Sequence, residues 1–293
     1  MDFSIPYWYG RTCNNIIQTY NAILIAKKYK LKFIQNLYHP IINTFEINFI
    51  ENEDDIDYNN LNNILNNCGL FYDGSDCPNF CKSFYNDKIT IDERHHIYYN
   101  LILPNLKINK NIIPLDKNTL VIHIRSGDSI RDNVLEDQVR DYNNNNRIIL
   151  YALPPLKIYE LIIEKYDKVI IVAEDRLNPS INYLELKYPT KVTVQTSSLK
   201  EDIELILSAQ NLAGSSIYNG TFLYTISCLS KNLNNIYIVE FMNRNYKDEY
   251  RYSDNVIINV LLTENYYDNY NIKRILEWDN PIIEFKYNNE ITP

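Results

Sequence analysis

The side chains best suited to chemistry stand in one short run, Leu120-Val-Ile-His-Ile-Arg-Ser-Gly-Asp128. Arg125 carries a planar fork of N–H donors that matches the oxygens of a phosphate or diphosphate. Gly127 lets the backbone turn sharply, and Asp128 brings a carboxylate to the same place. The plain alternative is a strand end with a surface Arg–Asp pair. Spacing alone does not separate the two.

An element must hold these groups in place. Leu120 to Ile124 is mostly apolar and β-branched, the pattern of a buried strand, and the strand is expected over Thr119–Arg125. From there strands and helices alternate. Helices are predicted over Leu156–Tyr166, Pro179–Lys187, Leu199–Ala209 and Phe222–Ser230. Strands are predicted over Lys168–Ala173, Lys191–Gln195, Asn211–Gly214 and Asn235–Glu240. Such alternation predicts an α/β fold with a parallel sheet and crossover helices. Ligands then bind beyond the carboxyl ends of the strands, where Arg125 would stand. Upstream, Arg11–Tyr29 has the spacing of a buried helix, Leu31–Ile34 that of a strand, and Thr90–Leu103 that of a helix stopped by Pro104. Asn52–Asn67 is polar and Asn-rich, a peripheral region containing a helix. With Lys107–Lys117 as a linker, the chain divides into an N-terminal α/β domain, 1–117, and a C-terminal Rossmann-like domain, 118–293.

Bulk properties exclude several classes. A length of 293 residues suffices for two modest domains, and 45% hydrophobic with 23% charged residues is the composition of a globular protein. A net charge of -8 argues against a general nucleic-acid-binding surface, though not against a local basic pocket. No stretch reaches eighteen uninterrupted apolar residues and Met1–Pro6 does not resemble a signal peptide, so the expectation is a cytoplasmic protein without a transmembrane segment. The abundance of Asn, Ile and Tyr is the mark of an AT-rich genome, which leaves Asn143–Asn146 as a plain polar loop. Cys68, Cys77 and Cys81 lie close together with no His at a fitting distance for zinc; reduced thiols are expected, a local disulfide being the minority reading. The sequon Asn219-Gly-Thr221 falls in a candidate site loop and is discounted. There is no Gly-x-Gly-x-x-Gly, Walker A, Gly-x-Ser-x-Gly or His-Glu-x-x-His sequence, which sets aside dinucleotide dehydrogenases, P-loop enzymes, serine hydrolases of the elbow type and zincins.

The segment His123-Ile-Arg-Ser-Gly-Asp128 resembles the His-x-Arg-x-Gly-Asp donor motif of the α-1,2-, α-1,6- and protein O-fucosyltransferases. The resemblance implies a GT-B fold, two Rossmann-like domains facing a cleft, with residues 1–117 on the acceptor side, 118–293 binding the nucleotide sugar and Arg125 on the β-phosphate of GDP-fucose. Golgi members of the family usually carry a membrane anchor, and none is read here, so the enzyme implied is of bacterial or viral type. Many relatives carry two successive Arg residues where this chain has Arg125 and Ser126. Four further segments agree. Gly10-Arg-Thr-Cys-Asn-Asn-Ile-Ile-Gln18 is similar to the family's N-terminal loop and helix, with Asn14 and Gln18 on the polar positions and Cys13 in place of a Gly. The resemblance makes Asn14 a donor-binding residue, the alternative being a helix cap bonded to its own backbone. Val169–Asp175 ends in Glu174 and Asp175, which could hold ribose hydroxyls or order Arg125; the alternative is a solvated loop with Asp175 capping the next helix. Asp202 matches an Asp that bonds the guanine edge, and His123 could pack near the same base; the alternatives are a helix-first-turn carboxylate and a satisfied buried His. Ala213–Phe222 resembles the Ser-rich loop that precedes a helix, with Ser215, Ser216 and Thr221 as a diphosphate cradle and Phe222 for packing.

The activity implied is inverting glycosyl transfer without a metal or other cofactor, from GDP-fucose to a glycan acceptor. Arg125 and Asp128 are its candidate catalytic residues, and the base that activates the acceptor is unassigned. Ser126 and Cys13 leave open another nucleotide deoxysugar as donor. A nucleotide- or sugar-binding protein without catalysis is the third reading. The acceptor, its linkage and the oligomeric state are not legible.

Overall fold

The computed structural model describes residues 2–50, 90–131, 153–215, 220–240, 256–263, 266 and 273–287. Asn52–Asn67, Cys68, Cys77, Cys81, Asn143–Asn146, Ser216 and Asn219 lie outside them. The chain forms two compact units, residues 1–110 and 111–293. Residues 111–117 are tied to the second unit: Leu115 N–H donates to Ser208 O (2.8 Å), Gln210 Nε2 donates to Leu115 O (2.6 Å), and Asn211 Nδ2 donates to Lys117 O (2.8 Å).

The first unit opens with a βαβ motif. Strand β1 (Asp2–Ser4) leads into helix α1 (Thr12–Lys28) and then β2 (Lys32–Gln35), parallel to β1. Strand β3 (Phe45–Asn48) pairs antiparallel with β2. β1 and β3 have three and four residues, too short for a periodicity to register. α1 is buried around its circumference from Asn15 to Ala26, as expected for a helix with apolar side chains on every face. Helix α2 (Ile91–His95) is capped by Thr90, whose Oγ1 accepts from Glu93 N (3.1 Å). It continues as a π-helical stretch, His96–Ile102, and a 3-10 turn, Leu103–Asn105.

The second unit holds β4 (Thr119–His123), α3 (Asp128–Arg131), α4 (Leu156–Ile163), β5 (Lys168–Val172), α5 (Pro179–Lys187), β6 (Val192–Gln195), α6 (Leu199–Ser208), β7 (Asn211–Ser215), α7 (Thr221–Leu229), β8 (Asn235–Glu240), β9 (Ile257–Leu262), α8 (Arg274–Glu277) and β10 (Ile283–Tyr287). The predicted alternation from β4 to β8 is present. β9, α8 and β10 lie beyond the last element predicted from sequence.

The seven strands are ordered β10-β9-β8-β7-β4-β5-β6, parallel except for β10. From β4 the chain builds outward through β5 to β6, returns to the other side of β4, and builds outward again through β7, β8 and β9. The direction of winding therefore reverses between β4 and β7, the point beyond whose carboxyl ends open sheets of this kind bind ligands. Leu120, Ile122, Ile158, Ile162, Ile171 and Ile181 belong to the core between sheet and helices and have no exposed surface. The parallel strands β4, β5 and β8 carry mostly apolar centres because they are covered on both faces.

Candidate functional site

At the carboxyl end of β4 the chain leaves the sheet through Ile124 and Arg125 and turns at Gly127, where φ is +68°. A side chain at Gly127 would be doubly opposed, by that conformation and by the Glu174 carboxylate, which occupies the space of a Cβ. The turn is locked from below by Asp175. Its Oδ1 accepts from Ser126 Oγ, from Gly127 N (3.1 Å) and from Leu177 N (3.0 Å). Asp175 thus orders the backbone that follows Arg125. It does not cap the next helix: Asn178 does, its Oδ1 accepting from Ser180 N (3.0 Å).

Asn178 is a site residue that sequence reading missed. It is fully buried; its backbone N–H donates to Ser126 Oγ (3.0 Å) and its Nδ2 donates to Arg125 O (2.9 Å). The Asn-Pro pair before an apolar run marks a helix start, but nothing local shows that the cap reaches back to Arg125. Ser126 is only 3% exposed and engaged on both sides. Ser126 is therefore an interior position of the turn.

Arg125 Nη2 lies 3.5 Å from Asp128 Oδ1, a long pair on partly exposed side chains. Asp128 Oδ1 also accepts from Ser129 N (2.8 Å), so this carboxylate is held between its own helix turn and the guanidinium. On its other side Arg125 meets the start of α7. A Cβ at Gly220 would stand 2.9 Å from Arg125 Nη1, so glycine there admits the fork. Gly220 is also the residue before α7 and supplies no capping side chain; Thr221 and Phe222 are the helix's first residues. A guanidinium thus rests at the positive end of a helix dipole. Gly214 in β7 permits a similar close approach: a Cβ there would stand 3.0 Å from His123 O and 2.9 Å from Leu223 Cδ2.

His123 packs on Phe222 with ring centroids 4.7 Å apart and planes tilted by 34°. Burial, and then the Arg125 charge, lower its pKa to about 3, so the ring is neutral at physiological pH. Asp202 stands in the first turn of α6, whose cap is the box formed by Ser198 and Glu201. Asp202 Oδ1 accepts from Gln195 Nε2 (3.0 Å) and Ser197 Oγ (3.0 Å). Burial is the largest influence on its acidity and raises its pKa above the usual carboxylate value. In register, His123 on β4 pairs with Val172 on β5 and Val172 with Gln195 on β6. Asp202, anchored to Gln195, is thus two strand spacings from the end of β4, roughly 10 Å.

The fold therefore gathers His123, Arg125, Asp128, Glu174, Asp175, Ser215, Thr221 and Phe222 around the ends of β4, β5 and β7, with Asp202 further along the rim. Asn14 belongs to the first unit: its amide lies against Gly10, where φ is +72°. Cys13 is inside α1 and buried, and no positive φ is asked of it. Cys13 and Cys228 are buried and outside any disulfide, and burial pushes the Cys13 thiol up. Gln18 is interior, its Oε1 accepting from Tyr9 N (3.1 Å) and Asn15 Nδ2 (3.0 Å). Among the described residues no helix is long and apolar enough to cross a membrane, and no group of His, Cys, Asp and Glu is arranged to hold a metal ion. A scan against protein-family models and a search of curated proteins both return no match for this chain.

Proposed function

We propose that the chain is a glycosyltransferase that takes its sugar from a nucleoside diphosphate donor bound beyond the carboxyl ends of β4 and β7, with GDP-fucose the first candidate and a glycan as acceptor. One observation carries the proposal: the Arg125 guanidinium abuts the N-terminus of α7, which starts after Gly220, at the topological switch point. Two positive elements placed together are stabilised when an anion lies between them. A diphosphate suits both the fork and the helix N–H groups. Asp202 stands further along the same rim, on the β6 side of β4. A carboxylate there accepts from both the ring N–H and the amino group of guanine.

In this reading Arg125 and the first N–H groups of α7 stabilise the charge that develops on the departing diphosphate, without a cofactor or divalent ion. Asp128 positions Arg125, and Asp175, Ser126 and Asn178 hold the turn rigid, so little reorganisation is needed as the bond breaks. His123 and Phe222 offer apolar ring surface beside the nucleotide. The reading carries with it the GT-B arrangement, an inverting outcome, and a nucleotide sugar and a glycan as partners. Asp128, held by Arg125 and Ser129, favours one competitor, a binding protein without an acceptor-activating base. Ser126 favours another, a different deoxysugar donor. Thermal-shift measurements with GDP, UDP, dTDP and CMP, followed by donor hydrolysis in excess EDTA, separate the three. No response to any nucleotide would overturn the proposal. Binding without hydrolysis or transfer would leave only the binding-protein reading.

A further inference from the structure

The rim of the first unit has a different chemistry. β1 and β2 are parallel neighbours, so the loops that leave their carboxyl ends emerge on the same edge. The first loop carries Tyr7, Trp8 and Tyr9; the second carries Tyr38 and His39. Tyr7, Tyr9 and Tyr38 are 58%, 45% and 83% exposed. Exposed rings on mobile loops would be unremarkable, but these loops are fastened. Trp8 Nε1 donates to Tyr38 O (3.0 Å), and Trp8 meets the His39 ring edge-on at 5.2 Å. The backbone of Tyr9 is held by Gln18 Oε1 and by Asn15 Nδ2 (2.9 Å). His39 Nδ1 accepts from Ile41 N and Ile42 N (both 3.0 Å), and its Nε2 faces Asn15 Oδ1 (3.1 Å). Lys107 Nζ donates to His39 O (2.7 Å) and stands 5.4 Å from the centre of the Tyr38 ring. A buried polar network thus fastens the loop backbones from which these exposed, hydroxyl-tipped rings project, which lowers the ordering cost of binding.

We infer that this edge is a carbohydrate-binding platform centred on Tyr7, Trp8 and Tyr38. The electron-rich faces of such rings pack against the C–H face of a pyranose, while phenol hydroxyls and Lys107 can bond its hydroxyls. A net charge of -8 speaks against nucleic acid, the other ligand that stacks on aromatic rings. A bilayer surface would call for Leu, Ile or Phe with several cations. The binding surface stands on its own geometry; its role as acceptor site rests on the glycosyltransferase reading.

The test uses the full chain without nucleotide. Short glucosyl, galactosyl, mannosyl and N-acetylhexosaminyl oligosaccharides are titrated by tryptophan fluorescence and ligand-observed NMR, with a proline-rich peptide as control. Saturable binding of a sugar is expected, weakened about fivefold by Tyr38→Ala and by Tyr7→Ala, and retained in Tyr38→Phe. Circular dichroism confirms that the variants are folded; Tyr38 is exposed enough for truncation to leave the fold intact. Three outcomes overturn the platform: no sugar binds, both Ala variants bind like wild type, or only the proline-rich peptide binds. A GDP thermal shift on the same samples keeps the two proposals apart. Nucleotide binding without sugar binding sinks the platform alone. Sugar binding without any nucleotide response sinks the transferase and leaves a lectin-like protein.

Discussion

Two rims of this molecule occupy the same topological position and carry opposite chemistry. Beyond β1 and β2 the loops present tyrosines braced by a buried amide and imidazole network. Beyond β4, β5 and β7 they present a guanidinium, three carboxylates and a helix N-terminus. In both, parallel strands determine where a ligand can sit, and the loop residues determine which. The polar groups also differ in task. In the first unit the buried ones, Asn15, Gln18 and His39, are scaffold, and the rings above them are the working surface. In the second unit one carboxylate, Asp175, is spent on the scaffold so that Arg125 can face outward.

The largest effect that would break this contrast is on the charged rim. Arg125→Ala should weaken nucleoside diphosphate binding about 100-fold, the loss expected for a charge-assisted pair, with the melting temperature nearly unchanged. Arg125→Lys, which keeps charge but loses the fork, should fall between. Calorimetry reads both, and wild-type affinity in a folded Arg125→Ala protein would remove the diphosphate site.

The scaffold of the aromatic rim should respond to acid. Burial, then Lys107, lower the pKa of His39 to about 4, below the ordinary 6.5. A depressed folded value means stability that is present above about pH 6.5 and lost as pH falls toward 4. Protonation of Nδ1 would also break the two N–H bonds from Ile41 and Ile42. Between pH 7 and 4.5 the loss should reach about 2–3 kcal/mol in urea denaturation. His123, depressed further, adds a loss of the same sign that extends to lower pH. His39→Asn, whose Oδ1 can stand in for Nδ1, should flatten the first part of the slope; an unchanged slope would show that His39 does not set it.

Gly127→Ala sharpens the comparison at smaller scale. The positive φ and the crowding by Glu174 predict about 1–2 kcal/mol of destabilisation together with weaker nucleotide binding. Gly10→Ala, with a similar φ but only the Asn14 amide to displace, should cost stability and leave nucleotide binding alone. If both substitutions impair nucleotide binding equally, the division of labour between the rims is wrong. The smallest effect concerns base choice. Asp202→Asn keeps an oxygen for Gln195 and Ser197 but loses an acceptor, so GDP should lose about tenfold in affinity while UDP changes little, narrowing a preference for guanine. Equal shifts for GDP and UDP in the wild-type protein would exclude guanine selectivity and move the donor elsewhere.

Much of the second unit's sheet is legible in sequence because parallel strands covered on both faces leave apolar runs, as in Leu120–Ile124 and Val169–Val172. β9, Ile257–Leu262, has the same signature but stands apart from the strand–helix alternation that identified the others. β10, Ile283–Tyr287, mixes charged and apolar residues as an antiparallel edge strand does. In the site, Arg125 is legible because it ends a strand, and Asp202 because it opens a helix. Asn178, Gly220 and the aromatic loops are not, since Asn, Gly and Tyr are equally at home in turns, caps and surfaces.

The sequence by itself determined an α/β chain and a strand that ends in an arginine, because hydrophobic periodicity and turn residues act over a few neighbours. Tertiary structure alone decided that β7 returns beside β4, and so that Arg125 meets Gly220 at the head of a distant helix. It also decided that Asp175 turns inward to hold Ser126 and Gly127, and that Trp8 joins Tyr38 across two loops. The physical reason is that strand order and the direction of a side chain beyond a strand end depend on which crossover packs against which face. That is settled by burial of surfaces far apart in the chain, not by local residue preference.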